Sequence, residues 1–103
     1  MQKVKIKKRK YTIRKARITR NHYGDCDRDL KEIRLAHDLK SYIQAKTLFH
    51  EITHGIFEEY LKDVVSDETE EQITKGIERG FTEFARNNPE AWIMLAIRLA
   101  RIK

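Results

Sequence analysis

Three residues carry the most specific chemistry in this chain: His50, Glu51 and His54, within His50-Glu51-Ile52-Thr53-His54. Histidines four apart lie one turn apart on the same face of a helix, so both imidazoles reach one metal ion. A glutamate directly after the first is offset by about 100°. It stands close to the ion without pointing at it and can take a proton from a metal-bound water. This is the HExxH zinc-hydrolase pattern. Neutral imidazoles and a carboxylate suit Zn²⁺, and a catalytic zinc keeps three protein ligands and one water. One zinc per chain is expected, with Glu51 as catalytic base and His50 and His54 as ligands. The same residues also admit a plainer reading, a buried helix whose histidines are satisfied within the core.

The third ligand must come from elsewhere. The other histidines, His22 and His37, both precede the motif, whereas a dense acidic stretch follows it, Asp67-Glu68-Thr69-Glu70-Glu71. A glutamate there makes a His, His, Glu site. At about 100° per residue, Glu70 falls in line with Ile73, Ile77 and Phe81. That stripe is expected to face the motif helix, with Thr74 supporting a ligand. Glu71 falls about 100° away. Glu70 is therefore placed ahead of Glu71.

These residues need elements to hold them. Ser41 is a good N-cap and Gln44 follows three residues later, which predicts a capping box and a helix over about 42–62. Ala45, Leu48, Ile52 and Ile56 form one apolar stripe, while Ile43, Phe57 and Leu61 lie opposite, among the histidines. A surface helix has one apolar face, so this one is expected between two other elements. Upstream, Val4 and Ile6 alternate with lysines, and Tyr11 and Ile13 alternate with Thr12 and Arg14. Two strands follow, joined near Lys8-Arg9-Lys10. Gly24 and several aspartates mark a turn over 21–29, with Tyr23 on a short strand and Cys26 a plain residue. Ile33, Leu35 and His37 alternate through another strand just before the motif helix. Such a strand beside a zinc site can pair with an extended substrate.

A second helix is expected from Ser66 or Asp67 to Arg86. Gly76 and Gly80 within it cost about 1 kcal/mol each, which points to close approach of another backbone. Asn88 and Pro89 then fit as N-cap and first residue of a third helix, whose stripe of Trp92, Leu95, Ala96, Leu99 and Ile102 is expected to close the core. Strands followed by helices give an α+β fold: a small antiparallel or mixed sheet of three to four strands packed on the motif helix, then a ligand-bearing helix and a C-terminal helix.

At 103 residues the chain makes one domain with one modest core. A lone cysteine excludes an internal disulfide, consistent with a reducing compartment. No apolar h-region follows the N-terminus, and the longest apolar run, Trp92 to Ile97, is stopped by Arg98 well short of a span. A cytoplasmic protein with no membrane partner is expected. The net charge of +6 is unevenly spread: residues 1–20 hold ten Lys or Arg and no acid, leaving 12 basic and 16 acidic residues in the remainder. A basic arm of this kind fits nucleic acid or an acidic partner. It also fits a solvated sheet face, since its lysines alternate with apolar residues.

The stretch Thr47-Leu48-Phe49-His50-Glu51-Ile52-Thr53-His54-Gly55-Ile56, the acidic helix start, Arg79-Gly80-Phe81 and Asn87-Asn88-Pro89 together resemble small phage-type HExxH proteins, minimal relatives of the ImmA/IrrE metallo-endopeptidases. Tyr23-Gly24 and the strand over 31–38 also fit, so the resemblance covers roughly residues 20–90. It implies a short sheet on the motif helix, a gluzincin-like zinc site and proteolysis; better-known larger members cleave DNA-binding repressors. Aligning Gly80 with the family's glycine moves the family's acid nearer Glu71. The chain departs from the larger members in being much shorter, without their DNA-binding or sensing domain. It also lacks their acid-x-x-Ala-Asn pattern, having Ile73-Thr74 or Thr74-Lys75 there.

Two function classes follow. One is a zinc metallopeptidase acting on a protein or peptide substrate, with Glu51 as base and an oxyanion donor such as His37 or Tyr60. The other is a zinc-stabilised, non-catalytic regulatory or binding module that contacts nucleic acid through residues 1–20. The intact Glu51 favours the enzyme, because a structural zinc needs four closed protein ligands and no base. No further cofactor is indicated.

Overall fold

A mixed sheet on one side and three helices on the other make up the chain. The computed structural model describes residues 2–17 and 22–101. The strands are β1 (Gln2–Ile6), β2 (Arg9–Ala16), β3 (Gly24–Asp27) and β4 (Glu32–Ala36), and the helices are α1 (Ser41–Tyr60), α2 (Asp67–Asn87) and α3 (Pro89–Ala100). This is the expected α+β order. The strands lie β1-β2-β4-β3. β1 pairs antiparallel with β2, β2 parallel with β4, and β4 antiparallel with β3.

Alternation decides which face of the sheet is covered. Ile6, Tyr11, Ile13, Ile33 and Leu35 are buried and form the core, with Leu48 and Ile52 of α1 and Cys26 of β3 packed on it. The opposite sheet face carries the polar residues. Burial at this scale drives the hairpin onto α1, and the hairpin's turn is fastened there too. Lys7 takes a positive φ of 57°, which a non-glycine residue adopts only at some cost. Its ammonium donates to the Glu59 carbonyl at 3.3 Å and lies over the Tyr60 ring. The turn thus falls at Lys7-Lys8, not at Lys8-Arg9-Lys10. Pairing Ile6 with Arg9 keeps Val4, Ile6, Tyr11 and Ile13 on one face.

α1 is held between two elements, as its two apolar stripes imply. The sheet lies on one side and α2 on the other. It begins at Ser41 with Lys40 as N-cap, and no side chain caps it. The expected Ser41–Gln44 box is therefore absent: the helix starts one residue early and Ser41 lies inside its first turn. α2 does start as read, with Ser66 accepting from the Thr69 N–H at 3.2 Å. Gly76 and Gly80 are exposed, and a Cβ at either would meet nothing within 4 Å. They mark no close backbone approach. α3 has Asn88 and Pro89 at its start but no buried residue. It packs on α2 through Trp92, whose ring centroid lies 6.0 Å from that of Phe81 and 6.5 Å from that of Phe84. It does not close the core, because the sheet and α1 complete it without α3. Among the described residues, no helix is long and apolar enough to cross a membrane.

Candidate metal centre

His50 and His54 point their rings out of α1 into the gap towards α2. Their Nε2 atoms lie 3.2 Å apart. One Glu71 oxygen stands 2.8 Å from Nε2 of His50 and 3.3 Å from Nε2 of His54. These three ligand atoms lie close enough together to hold one metal ion. Burial would raise the Glu71 carboxyl, but the two facing histidines outweigh that and hold it below its usual range.

Glu71, not Glu70 as expected, is the glutamate that stands beside both Nε2 atoms. Glu70 does face α1 and is 5 % exposed, as the Ile73–Ile77–Phe81 line implied. It meets the far side of the imidazole, however: its carboxylate contacts Nδ1 of His54 at 2.5 Å and pairs with Arg28. The two Nε2 atoms meet beside Glu71, His50 lining a cleft against β3 and His54 a second hollow with Arg28 and Glu70. A side chain one position further round α2 reaches them there. Thr74 is fully buried and its hydroxyl has no hydrogen-bond partner among the described residues, so it does not support a ligand.

Nδ1 of His50 has its own carboxylate, Glu78, at 2.8 Å. Each ring therefore has Nδ1 engaged by its own acid, Glu78 or Glu70, and Nε2 turned to the shared Glu71. A carboxylate on one ring nitrogen fixes the tautomer and orientation that a metal ligand needs. Arg28 extends this support. Asp27 accepts from the N–H groups of Asp29 and Leu30 at 3.1 and 3.0 Å, a tight turn after β3. That turn delivers Arg28 to Glu70 and, at 3.5 Å, to Glu58. Lys31 of the same turn reaches Glu59 at 3.0 Å, which also accepts from the Tyr11 hydroxyl at 2.6 Å. Burial works against the Arg28 charge, yet Glu70 outweighs it and raises the guanidinium pKa.

Glu51 lies under β3 and is 7 % exposed. Burial drives its carboxyl up to about 7, opposed by His50 and reinforced by Asp25, Glu71 and Glu78. The neighbouring Cys26 thiol is pushed up to about 12, again chiefly by burial, so it stays a neutral thiol, in keeping with its reading as a plain residue.

His50, Glu51, Glu71 and Glu78 share one cleft with His22, Tyr23, Gly24 and Lys75. Its volume is about 420 Å³. Gly24 is required where it stands. A Cβ there would come within 2.7 Å of both the Arg34 carbonyl and the Thr47 methyl. Its absence lets β3 sit directly on α1. His37 and Tyr60 do not line this cleft; Tyr60 is 58 % exposed at the far end of α1. His22 lines it without joining the His50, His54, Glu71 group.

β4, expected to flank a substrate, is an interior strand with both edges occupied. The free edge beside the cleft belongs to β3. Ala36 N–H donates to the Tyr23 carbonyl at 2.7 Å, and antiparallel pairs alternate. The backbone groups of Gly24 and Cys26 therefore point to the open edge. Arg28, Glu78 and this edge were not singled out in the sequence. Asp27 before Arg28, the side chain that sets the turn, was the one available signal. Searches among family models, curated proteins and solved structures found no match to this chain.

Proposed function

We propose that the chain is a zinc-dependent peptidase. The observation that carries this reading is the meeting of two Nε2 atoms and one carboxylate oxygen at the edge of a cleft lined by His50, Glu71 and the buried Glu51. Tetrahedral ligands at about 2.0–2.1 Å from zinc lie about 3.3 Å apart. The separations here, 2.8, 3.2 and 3.3 Å, fit that donor set, and two imidazoles with one carboxylate suit zinc. Three ligands leave one position open to the cleft, as a catalytic site requires and a structural one does not. The resemblance to the ImmA/IrrE metallo-endopeptidases, carried by the motif and the acidic helix start, supports the same reading.

When bound, zinc supplies Lewis-acid polarisation and acidifies water. The chain supplies the rest. Glu70, with Arg28 behind it, and Glu78 hold the two rings so that both Nε2 atoms meet beside Glu71. A cation beside Glu51 favours its carboxylate, which then accepts a proton and returns one to the leaving amine. The free backbone groups of Gly24 and Cys26 take an extended peptide as an added strand, a mode that gives affinity without demanding particular side chains. His22 and Tyr23 on the same wall are the donors placed to meet a developing oxyanion; they replace His37 and Tyr60 in that role.

The test is metal analysis of the purified protein beside an unbiased peptide-library cleavage assay. One zinc per chain is expected, lost in His50→Ala or His54→Ala. Glu51→Gln should keep the zinc and lose about 10²–10⁴-fold in cleavage rate. Stoichiometric zinc with no cleavage of any library member favours the non-catalytic binding module instead. Wild-type protein that takes up no zinc sinks both.

A further inference from the structure

We propose that the solvent face of the β1–β2 hairpin is a sequence-independent docking surface for the phosphate backbone of nucleic acid. The inference does not depend on the zinc site, which lies across the sheet. Alternation puts Lys3 and Lys5 of β1 with Lys10, Thr12 and Arg14 of β2 on the face away from the core, and the register sets Lys5 directly opposite Lys10. Like charges opposed across an antiparallel pair are unfavourable. Lys8 extends the array into the turn, whereas Lys7 and Arg9 lie towards α1, and residues 1–17 contain no acid.

The other half of the same sheet face behaves differently, and the contrast is decisive. There Arg34 of β4 meets Asp25 of β3 at 2.7 Å, and Arg14, on β2 at the border of the two halves, meets Glu32 of β4 at 2.9 Å. Among the described residues, Lys3, Lys5, Lys8, Arg9 and Lys10 have no acidic partner within ion-pair distance. A merely solvated face with mixed signs would pair its charges as β3 and β4 do. The hairpin half instead sets Lys5 against Lys10, with Lys3 beside them and no acid of the described residues within ion-pair distance of the three.

The spacing suits a polyanion. Same-face residues recur about every 6.6 Å along a strand, with neighbouring strands about 4.8 Å apart, a flat lattice of positive charge. Among the described residues the hairpin face carries no apolar side chain larger than that of Ala16, whereas membrane-surface binding also draws on buried apolar area.

The experiment is a fluorescence-anisotropy titration of the full chain against a short mixed-sequence DNA duplex, over about 50–200 mM salt. Binding with Kd on the order of 10⁻⁴–10⁻⁶ M at physiological salt is expected. Replacing Lys3, Lys5 and Lys10 together with Gln should flatten the slope of log K against log salt by about 0.9 per lysine. A control removes the same charge elsewhere, through Lys40→Gln, Lys62→Gln and Arg79→Gln, and should leave the slope as it is. The hairpin variant should melt no lower than wild type, since a like-charge contact has been relieved. If it loses its melting transition, Lys5→Gln alone carries the test, with a slope change of about 0.9. Equal effects in hairpin and control variants, or no duplex binding by wild type at about 50 mM salt, overturn the proposal. So does tighter binding to poly-glutamate or to phosphatidylserine vesicles than to the duplex.

Discussion

Glu51→Gln should separate the chemistry of the buried carboxyl from its effect on stability. Burial carries this group from an ordinary value of 4.5 to about 7 in the folded, metal-free chain. A carboxyl whose folded pKa is raised contributes stability that is fully present below about 4.5 and is lost as pH rises through about 7. At about 1.4 kcal/mol per pH unit, the whole swing is about 3 kcal/mol. Gln has nearly the same shape and no proton to lose, so the variant lacks this contribution. In chelator-treated protein, the stability difference between wild type and Glu51→Gln should therefore change by about 3 kcal/mol between pH 4 and pH 8, with the variant gaining relative to wild type. Urea unfolding at a series of pH values measures it. Stoichiometric zinc should suppress the swing, because a nearby cation favours the carboxylate. Parallel pH curves for the two metal-free proteins would refute the reasoning, since the carboxyl would then be no harder to ionise in the fold than in water.

Zinc titrations of Glu71→Gln and Glu70→Gln should give different losses: large for Glu71, which meets both Nε2 atoms, and about 10–100-fold for Glu70, which acts through His54. A greater loss for Glu70 would return it to the ligand position. Gly24→Ala should destabilise the chain by about 1–3 kcal/mol in urea unfolding, because the new methyl meets backbone at Arg34. Gly76→Ala and Gly80→Ala should each stabilise it by up to about 1 kcal/mol, since nothing lies near either position; a loss at either would reveal a contact on that face.

The elements were largely legible because local rules set them. Strand alternation, the Ser66 cap and the Asn88-Pro89 break each act within a few residues. The pair His50 and His54 was legible for the same reason, both lying on one helix. The rest of the centre depends on how elements meet. One step along α2 swings a side chain through about 100°, so the choice between Glu70 and Glu71 turns on where the Nε2 atoms emerge, which is a matter of packing. Glu78 reaches His50 from two turns further along α2, and Arg28 reaches Glu70 from a turn beyond β3. No periodicity joins such residues. The same holds for α3, whose apolar residues read as core though no second layer lies over them. Gly76 and Gly80 have no structural account beyond an exposed helix face.

α3 has a consequence for how the molecule comes apart. It touches the remainder through one aromatic row, and beneath that row lies a groove of about 370 Å³ lined by Tyr42, Phe49, Phe81 and Trp92. Ile93, Met94, Ile97 and Leu99 are 45–61 % exposed. Few buried contacts mean a low free energy of local opening. The chain therefore comprises two units of unequal persistence. α3 should detach before the sheet, α1 and the first turns of α2, and its amides should exchange first. The ligand-bearing turns lie at the opposite end of α2 from that hinge, so the metal centre rests on the part of the chain that opens last.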